Sequence, residues 1–156
     1  MSGVGQVGEL RIMEILKKNG MEIYLPLKDS GIDFIAVKSD KFYQVQVKTS
    51  MFQKNSYFWF DLLKNKMRYS DNVFYVFVCF TLGRRQFLGK GENYLVIPSL
   101  ILKKWIVDED IVSKKGDENC LNLFVYPDLV EKSWTYKNKG KKIDLTSYWN
   151  NLSYFV

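Results

Sequence analysis

An aspartate, a glutamine and a lysine that could act together on a phosphodiester lie close to one another in this sequence. Asp33 opens one apolar segment, and Gln46 and Lys48 belong to a second, 42–48. The polar residues 38–41 predict a turn between two neighbouring strands. Alternate residues of a strand lie on one face, so Gln46 and Lys48 point the same way. An acid, an amide and a lysine that meet on neighbouring strands suit metal-assisted phosphodiester hydrolysis.

A second acid belongs to the helix that is predicted over residues 6–18. At about 100° per residue, Glu9 falls within the apolar face made by Ile12, Met13 and Leu16. A carboxylate on such a face is costly unless it is paired or binds a metal. Two other readings stay open: a first-turn glutamate favoured by the helix dipole, or a glutamate paired with a buried lysine.

Together these residues resemble the pattern of the PD-(D/E)XK nuclease superfamily. Glu9 matches its helix acid, Asp33 its strand aspartate, Gln46 its variable position and Lys48 its lysine. The spacing is similar to that of archaeal Holliday junction resolvases. The Gln-Val-Lys triplet is similar to that of intron-encoded homing endonucleases of the superfamily. The resemblance covers roughly residues 3–50.

Two positions depart from the superfamily pattern. Ile32 replaces the proline of the family name, a change that the family tolerates. Gln46 replaces the usual Asp or Glu, which removes one negatively charged metal ligand, although some members with Gln there remain active. One alternative is therefore a catalytically inactive nucleic-acid-binding module on the nuclease fold. Another is a protein-interaction subunit, and Lys48 could then form a structural salt bridge to Asp33.

The resemblance implies an α/β fold with a restriction-endonuclease-like core, in which helices flank a mixed central β-sheet. The length predicts a single domain over residues 1–156. The implied activity is that of a Mg²⁺- or Mn²⁺-dependent DNA endonuclease. The implied metal ligands are the side chains of Glu9, Asp33 and Gln46 and the carbonyl of Val47. Lys48 is expected to lie against the scissile phosphate and the attacking water.

Composition narrows the chemistry further. The sequence contains no histidine, which excludes His-based catalysis and makes a His/Cys zinc site implausible. Any metal must then be held by oxygen ligands, which suits Mg²⁺ or Mn²⁺. The Gly-x₄-Gly-Lys-Ser/Thr pattern is absent, so a nucleotide-hydrolysing motor is unsupported.

A net charge of +6 suits a polyanionic partner. We expect duplex or branched DNA as this partner. The predicted DNA-binding residues are Lys64, Lys66, Arg68, Arg84, Arg85 and Lys90. For any single basic run, a solvated surface is the alternative. The glycine-rich segment 82–93 is either a mobile substrate loop or a simple hairpin connection.

One such site cuts one strand in one binding event, so we expect a homodimer or homotetramer. The candidate interface is aromatic and comprises Trp134, Tyr136, Tyr148, Trp149, Tyr154 and Phe155. These side chains could equally complete the core of the monomer. The segment 143–156 is predicted to form a packed helix after Thr146. With neither a signal peptide nor a membrane-length apolar run, a cytoplasmic protein that acts with the genome and not at a membrane is expected.

Overall fold

A computed structural model of the protein describes residues 3–28, 30–51, 56–80, 93–128 and 130–156. These residues form two α-helices, ten strands and two 3₁₀ turns. The helices are α1 (Gly3–Lys18) and α2 (Ser99–Val107), and the 3₁₀ turns are Lys64–Lys66 and Thr146–Tyr148. The strands are β1 (Glu22–Tyr24), β2 (Phe34–Lys38), β3 (Lys41–Met51), β4 (Phe58–Leu63), β5 (Val73–Phe80), β6 (Asn93–Pro98), β7 (Ser113–Lys114), β8 (Asp117–Asp128), β9 (Ser133–Asn138) and β10 (Lys141–Asp144).

The central sheet has the strand order β1-β2-β3-β5-β6. Strands β3 and β5 are parallel, whereas the other neighbouring pairs in this sheet are antiparallel. Residues 73–79 are all buried, because β5 lies between β3 and β6 with packed layers on both faces. The predicted α/β fold with a mixed central sheet is therefore confirmed.

A second, antiparallel sheet covers one face of the central sheet. Its order is β10-β9-β8-β4, and β7 pairs with β8. Buried and exposed residues alternate along β4, so Phe58, Phe60 and Leu62 face inward. Phe60, for example, meets Phe77 of the central sheet at 5.1 Å between ring centroids. We refer to this element as the outer sheet. It leaves its opposite face exposed.

Helix α1 packs on the other face of the central sheet. Ile12 and Leu16 are buried there, as the helical periodicity predicts. The helix ends at Lys18, and Gly20 follows with a φ of 87°. This left-handed conformation favours glycine because it has no Cβ. None of the helices in the described parts of the chain is long and apolar enough to span a membrane.

The predicted helix after Thr146 is wrong. Residues 146–148 form one 3₁₀ turn, and the chain beyond them contacts β6 without forming a helix. Trp149 forms a bridge to Leu95, and its Nε1 donates to Asn93 Oδ1 at 2.9 Å. These contacts with β6 hold the segment in a non-helical conformation where its own pattern suggested a helix. Trp134 and Tyr136 are fully buried in the core, which excludes them from the candidate interface.

Candidate active site

Asp33 is fixed at the point where β2 begins beside β3. Its backbone N–H donates to Val45 O at 2.9 Å, and its carboxylate Oδ2 accepts from the Val47 N–H at 2.6 Å. Gly31 precedes it with a φ of 77°, and the Ile32 side chain is buried in the core. The aspartate is thus held at both its backbone and its side chain, with little freedom to turn away from β3.

Glu9 of α1 meets this aspartate, as the sequence predicted for an acid on the inner face of the helix. The two carboxyl groups share a hydrogen bond. The pKa of Glu9 is raised from 4.5 to about 7, first by burial and then by the hydrogen bond and negative charge of Asp33. Two adjacent carboxylates without a cation stabilise a shared proton between them. A divalent cation would neutralise the same pair.

A glycine lets the helix come this close to the sheet. Gly8 is buried, and a Cβ at this position would overlap Thr49 Oγ1 on β3. Any larger residue would move α1 outward and withdraw Glu9 from Asp33. This role of Gly8 was not predicted from the sequence. The available signal was a glycine within a predicted helix, which costs stability and so suggests a packing reason.

Gln46 lies on the face of β3 opposite the buried Val45 and Val47, as alternation predicts. Its register partner on β5 is Tyr75. Among the described residues, Gln46 Oε1 is buried and accepts no hydrogen bond. A buried acceptor without a donor is costly and favours a ligand that can fill the position. An amide oxygen is a neutral ligand for a hard cation.

Lys48 follows Gln46 on the same face and pairs in register with Phe77. Its side chain is half-buried. Within the described residues, no ion pair joins Lys48 to Asp33. The structural salt bridge that was one alternative for Lys48 is therefore not formed. We call Glu9, Asp33, Gln46 and Lys48 the carboxyl site.

The donor set of the carboxyl site fits a hard divalent cation. It comprises two carboxyl groups, the unpartnered amide oxygen of Gln46 and the Val47 carbonyl. The N–H and C=O of a strand residue point to the same side, so the Val47 carbonyl faces the side where its N–H meets Asp33. The described residues hold no cluster of three His, Cys, Asp or Glu. Oxygen ligands other than carboxylates would therefore complete the coordination.

Arg68 is the predicted DNA-binding residue that the structure places beside the carboxyl site. Its Nη1 donates to Ser30 O at 2.9 Å, and its backbone N–H donates to the Tyr75 hydroxyl at 2.8 Å. A Cβ added at Gly31 would lie 3.8 Å from Arg68 Cδ. The guanidinium therefore lies along the loop that leads to Asp33.

The other predicted DNA-binding residues differ in position. The backbone of Lys66 passes close to Gly31. Lys64 instead lines a hollow of about 460 Å³ together with Glu109 and Glu118, which gives it acidic neighbours. Arg84, Arg85 and Lys90 lie outside the described residues, as does most of the glycine-rich segment.

Comparison with known proteins finds similarity in structure and none in sequence. Neither a protein-family model nor a curated protein matches the sequence. The chain is similar to the solved structure of a bacterial homing endonuclease, I-Ssp6803I, with a TM-score of 0.58 and 15% identity over 94% of this chain and 83% of that one. It also matches a nuclease from a fusselovirus, with a TM-score of 0.47 and 14% identity over 99% of this chain and 91% of that one. At this level of identity, the likeness to the homing endonuclease establishes the fold.

Proposed function

We propose that this protein is a divalent-metal-dependent DNA endonuclease of the PD-(D/E)XK type. One observation carries the proposal: the carboxyl groups of Glu9 and Asp33 meet where Asp33 binds the Val47 N–H. Among the described residues, the neighbouring Gln46 has a buried side-chain oxygen without a partner. These residues come from three separate parts of the chain and resemble the superfamily pattern, with Gln46 in place of its usual Asp or Glu. The shared fold with a bacterial homing endonuclease supports the same conclusion.

Asp33, Glu9, Gln46 Oε1 and the Val47 carbonyl would hold Mg²⁺ or Mn²⁺. A bound divalent cation supplies charge stabilisation at the phosphate and a water of lowered pKa. The fixed Asp33 carboxylate would determine where the cation sits, because Val47 N–H already orients one of its oxygens. Glu9 would add charge, and Gln46 would add a neutral oxygen in place of the usual carboxylate.

Lys48 would act on the substrate. Its ammonium group on the Gln46 face would lie against the scissile phosphate, balance the charge that grows in the transition state and orient the attacking water. Arg68 would bind a neighbouring phosphate, because it lies along the loop that leads to Asp33. A duplex or branched DNA would thus bind across the Asp33 end of β2.

The test is cleavage of supercoiled plasmid and of a synthetic four-way junction in Mg²⁺, in Mn²⁺ and in EDTA. We expect cleavage with either metal and none in EDTA. Asp40→Asn is a matched control for Asp33→Asn, because Asp40 is an exposed aspartate in the turn at the far end of β2. Cleavage that persists in EDTA, or in folded Asp33→Asn protein, would contradict the proposal.

A catalytically inactive DNA-binding module is the second candidate. It is favoured by the glutamine at position 46 and by the lack of a three-acid cluster among the described residues. Such a module would bind DNA with a strong dependence on salt. It would cut neither substrate with either metal.

We also propose a symmetric dimer or tetramer as the active form, because two cuts in fixed relation call for two sites. Since Trp134, Tyr136 and Phe155 are buried in the core, the half-buried Tyr148, Trp149 and Tyr154 are the remaining candidates for this interface. Sedimentation at micromolar concentration tests this proposal. A monomer that makes concerted double-strand breaks would contradict it.

A further inference from the structure

The exposed face of the outer sheet carries a concave, basic surface that the proposed reaction does not use. A hollow of about 510 Å³ is lined by Phe124 and Tyr126 of β8 and by residues 137–142 of the β9–β10 hairpin. Its lining includes four lysines, Lys137, Lys139, Lys141 and Lys142, and no acid. We call it the lysine hollow. Its charge is complementary to phosphate.

The aromatic lining is continuous with a larger set of rings. Tyr126 lies 5.4 Å from Tyr57, and Tyr57 lies 5.6 Å from Phe124. Phe124 in turn lies 5.8 Å from Trp59, whose side chain is 42% exposed. Tyr57, Phe124 and Tyr126 are half-buried. Aromatic rings at a surface beside lysines are the combination that binds unpaired bases and their phosphates.

Lys137 lies directly beside one of these rings. Lys137 Nζ lies 5.2 Å from the centre of the Tyr126 ring. Lys142 is the register partner of Lys137, so both side chains lie on the same face of the sheet. Both lysines therefore line the hollow, and the ammonium group of Lys137 lies beside the Tyr126 ring.

The outer sheet is hydrogen-bonded to the strand that carries Gln46 and Lys48. The Trp59 backbone N–H donates to Ser50 Oγ at 3.0 Å, and Ser50 shares a face of β3 with Gln46 and Lys48. The Trp59 ring itself lies on the exposed face of the outer sheet, the face that carries the lysine hollow.

Asp128 and Asp144 of the exposed face are not part of the hollow lining. Asp61 lies at the Trp59 end of the aromatic row, where its Oδ1 accepts from Trp59 Nε1 at 2.9 Å.

We propose that the lysine hollow and the adjoining aromatic row bind a single-stranded segment of nucleic acid. In duplex DNA the bases are stacked and paired, so their faces are not available to Trp59 or Tyr126. An unpaired strand offers both base faces and phosphates. For its link to cleavage this inference rests on the proposed function, since it makes a substrate with an unpaired segment the preferred one. The binding itself is measured independently.

The test is fluorescence anisotropy in EDTA with one labelled DNA oligonucleotide, used as a single strand and as its duplex. We expect the single strand to bind about tenfold more tightly than the duplex, the scale of one stacked base. Lys137→Glu/Lys142→Glu should weaken single-strand binding more than tenfold, and Trp59→Leu roughly tenfold.

The matched control is Lys103→Glu/Lys104→Glu on α2. It changes the net charge by the same amount as Lys137→Glu/Lys142→Glu. It also removes a lysine that lies over a tyrosine ring, since Lys103 Nζ lies 5.8 Å from the centre of Tyr69. The control should keep single-strand affinity within about twofold of the original protein. Equal losses in both double variants, or a duplex bound at least as tightly as the single strand, would overturn the inference.

The outcomes separate this inference from the proposed function. Asp33→Asn should bind the single strand as the original protein does, because Asp33 belongs to the carboxyl site. A protein that prefers the single strand but cuts nothing would refute the endonuclease and keep the lysine hollow. A protein that cuts with Mg²⁺ but binds the single strand no more tightly than the duplex would refute the lysine hollow and keep the endonuclease.

Discussion

The carboxyl site and the lysine hollow differ in charge and in how their side chains are held. In the carboxyl site, the side chains are half-buried and come from α1, from the start of β2 and from the middle of β3. The Val47 N–H fixes Asp33. In the lysine hollow, long exposed side chains project from one hairpin. The proposed activity of the carboxyl site depends on the exact positions of its side chains, whereas binding at the lysine hollow depends mainly on their charge. Substitutions in the two regions should therefore differ in kind as well as in size.

The largest expected effect is that of Asp33→Asn. It removes the carboxylate that would fix the metal, so cleavage should fall below detection while DNA binding in EDTA stays within about twofold. Plasmid nicking rates and anisotropy measure the two properties on one preparation. If Asp33→Asn loses binding and cleavage together, the two regions do not act separately and the comparison fails.

Lys48→Ala comes next. The loss of a preorganised cation at the scissile phosphate should slow cleavage by roughly 100- to 1,000-fold. Affinity in EDTA should change little, because one phosphate contact among several is removed. Single-turnover rates at saturating DNA isolate the chemical step. A normal rate in folded Lys48→Ala would show that the lysine is only part of the strand surface.

Gly8→Ala tests whether position decides the carboxyl site. The added methyl overlaps Thr49 and pushes Glu9 away from Asp33, and a shift of about 1 Å can cost about 100-fold in rate. Gly3→Ala is the control, because an added Cβ there meets nothing within 4 Å. Thermal unfolding accompanies both measurements. A Gly8→Ala variant that loses stability but cuts at the normal rate would show that the close approach serves packing alone.

Gln46 should show a smaller and graded effect. Gln46→Glu keeps an oxygen at the same place and should preserve cleavage within a few-fold, whereas Gln46→Ala removes it and should lose roughly tenfold or more. Cleavage rates over a series of Mg²⁺ concentrations measure both. Full activity of Gln46→Ala would indicate that the buried oxygen is not a ligand.

The smallest effect concerns pH. Without metal the pKa of Glu9 is about 7 in the folded protein and 4.5 when unperturbed. A raised pKa means that the folded state holds its proton more tightly, so this contribution to stability is complete below about pH 4.5. It is lost as the pH rises to 7. Glu9→Gln cannot lose this contribution, so in EDTA its Tm minus the Tm of the original protein should increase from pH 4.5 to 7. A Tm difference that stays constant with pH would contradict the raised pKa of Glu9.

The parts of the molecule that follow from local periodicity were predictable. Alternation placed Gln46 and Lys48 on one face, and the helical period placed Glu9 on the inner face of α1. Asp33 was predictable because it stands at the start of an apolar strand. These residues are positioned by the geometry of single elements. Their own segments therefore contain the necessary information.

The remaining features depend on contacts between distant segments. Alternation along β4 or β8 predicts a strand but does not specify its partner, so the outer sheet was not recognised from the sequence. The contact of Arg68 with Ser30 and that of Gly8 with Thr49 also join segments that no local pattern relates. The non-helical tail was missed for the same reason, because Asn93 and Leu95 hold Trp149 in place.

That tail has a consequence for the solubility of the protein. Strand β6 is the last strand of the central sheet, and the exposed edge of such a strand invites pairing with another molecule. Here Asn150 N–H donates to Tyr94 O at 2.7 Å, and Asn150 Oδ1 accepts from Tyr94 N–H at 2.9 Å. The polypeptide thus occupies its own edge at Tyr94, where another molecule could otherwise add a strand. An assembly that extends the central sheet at this point would have to displace the tail.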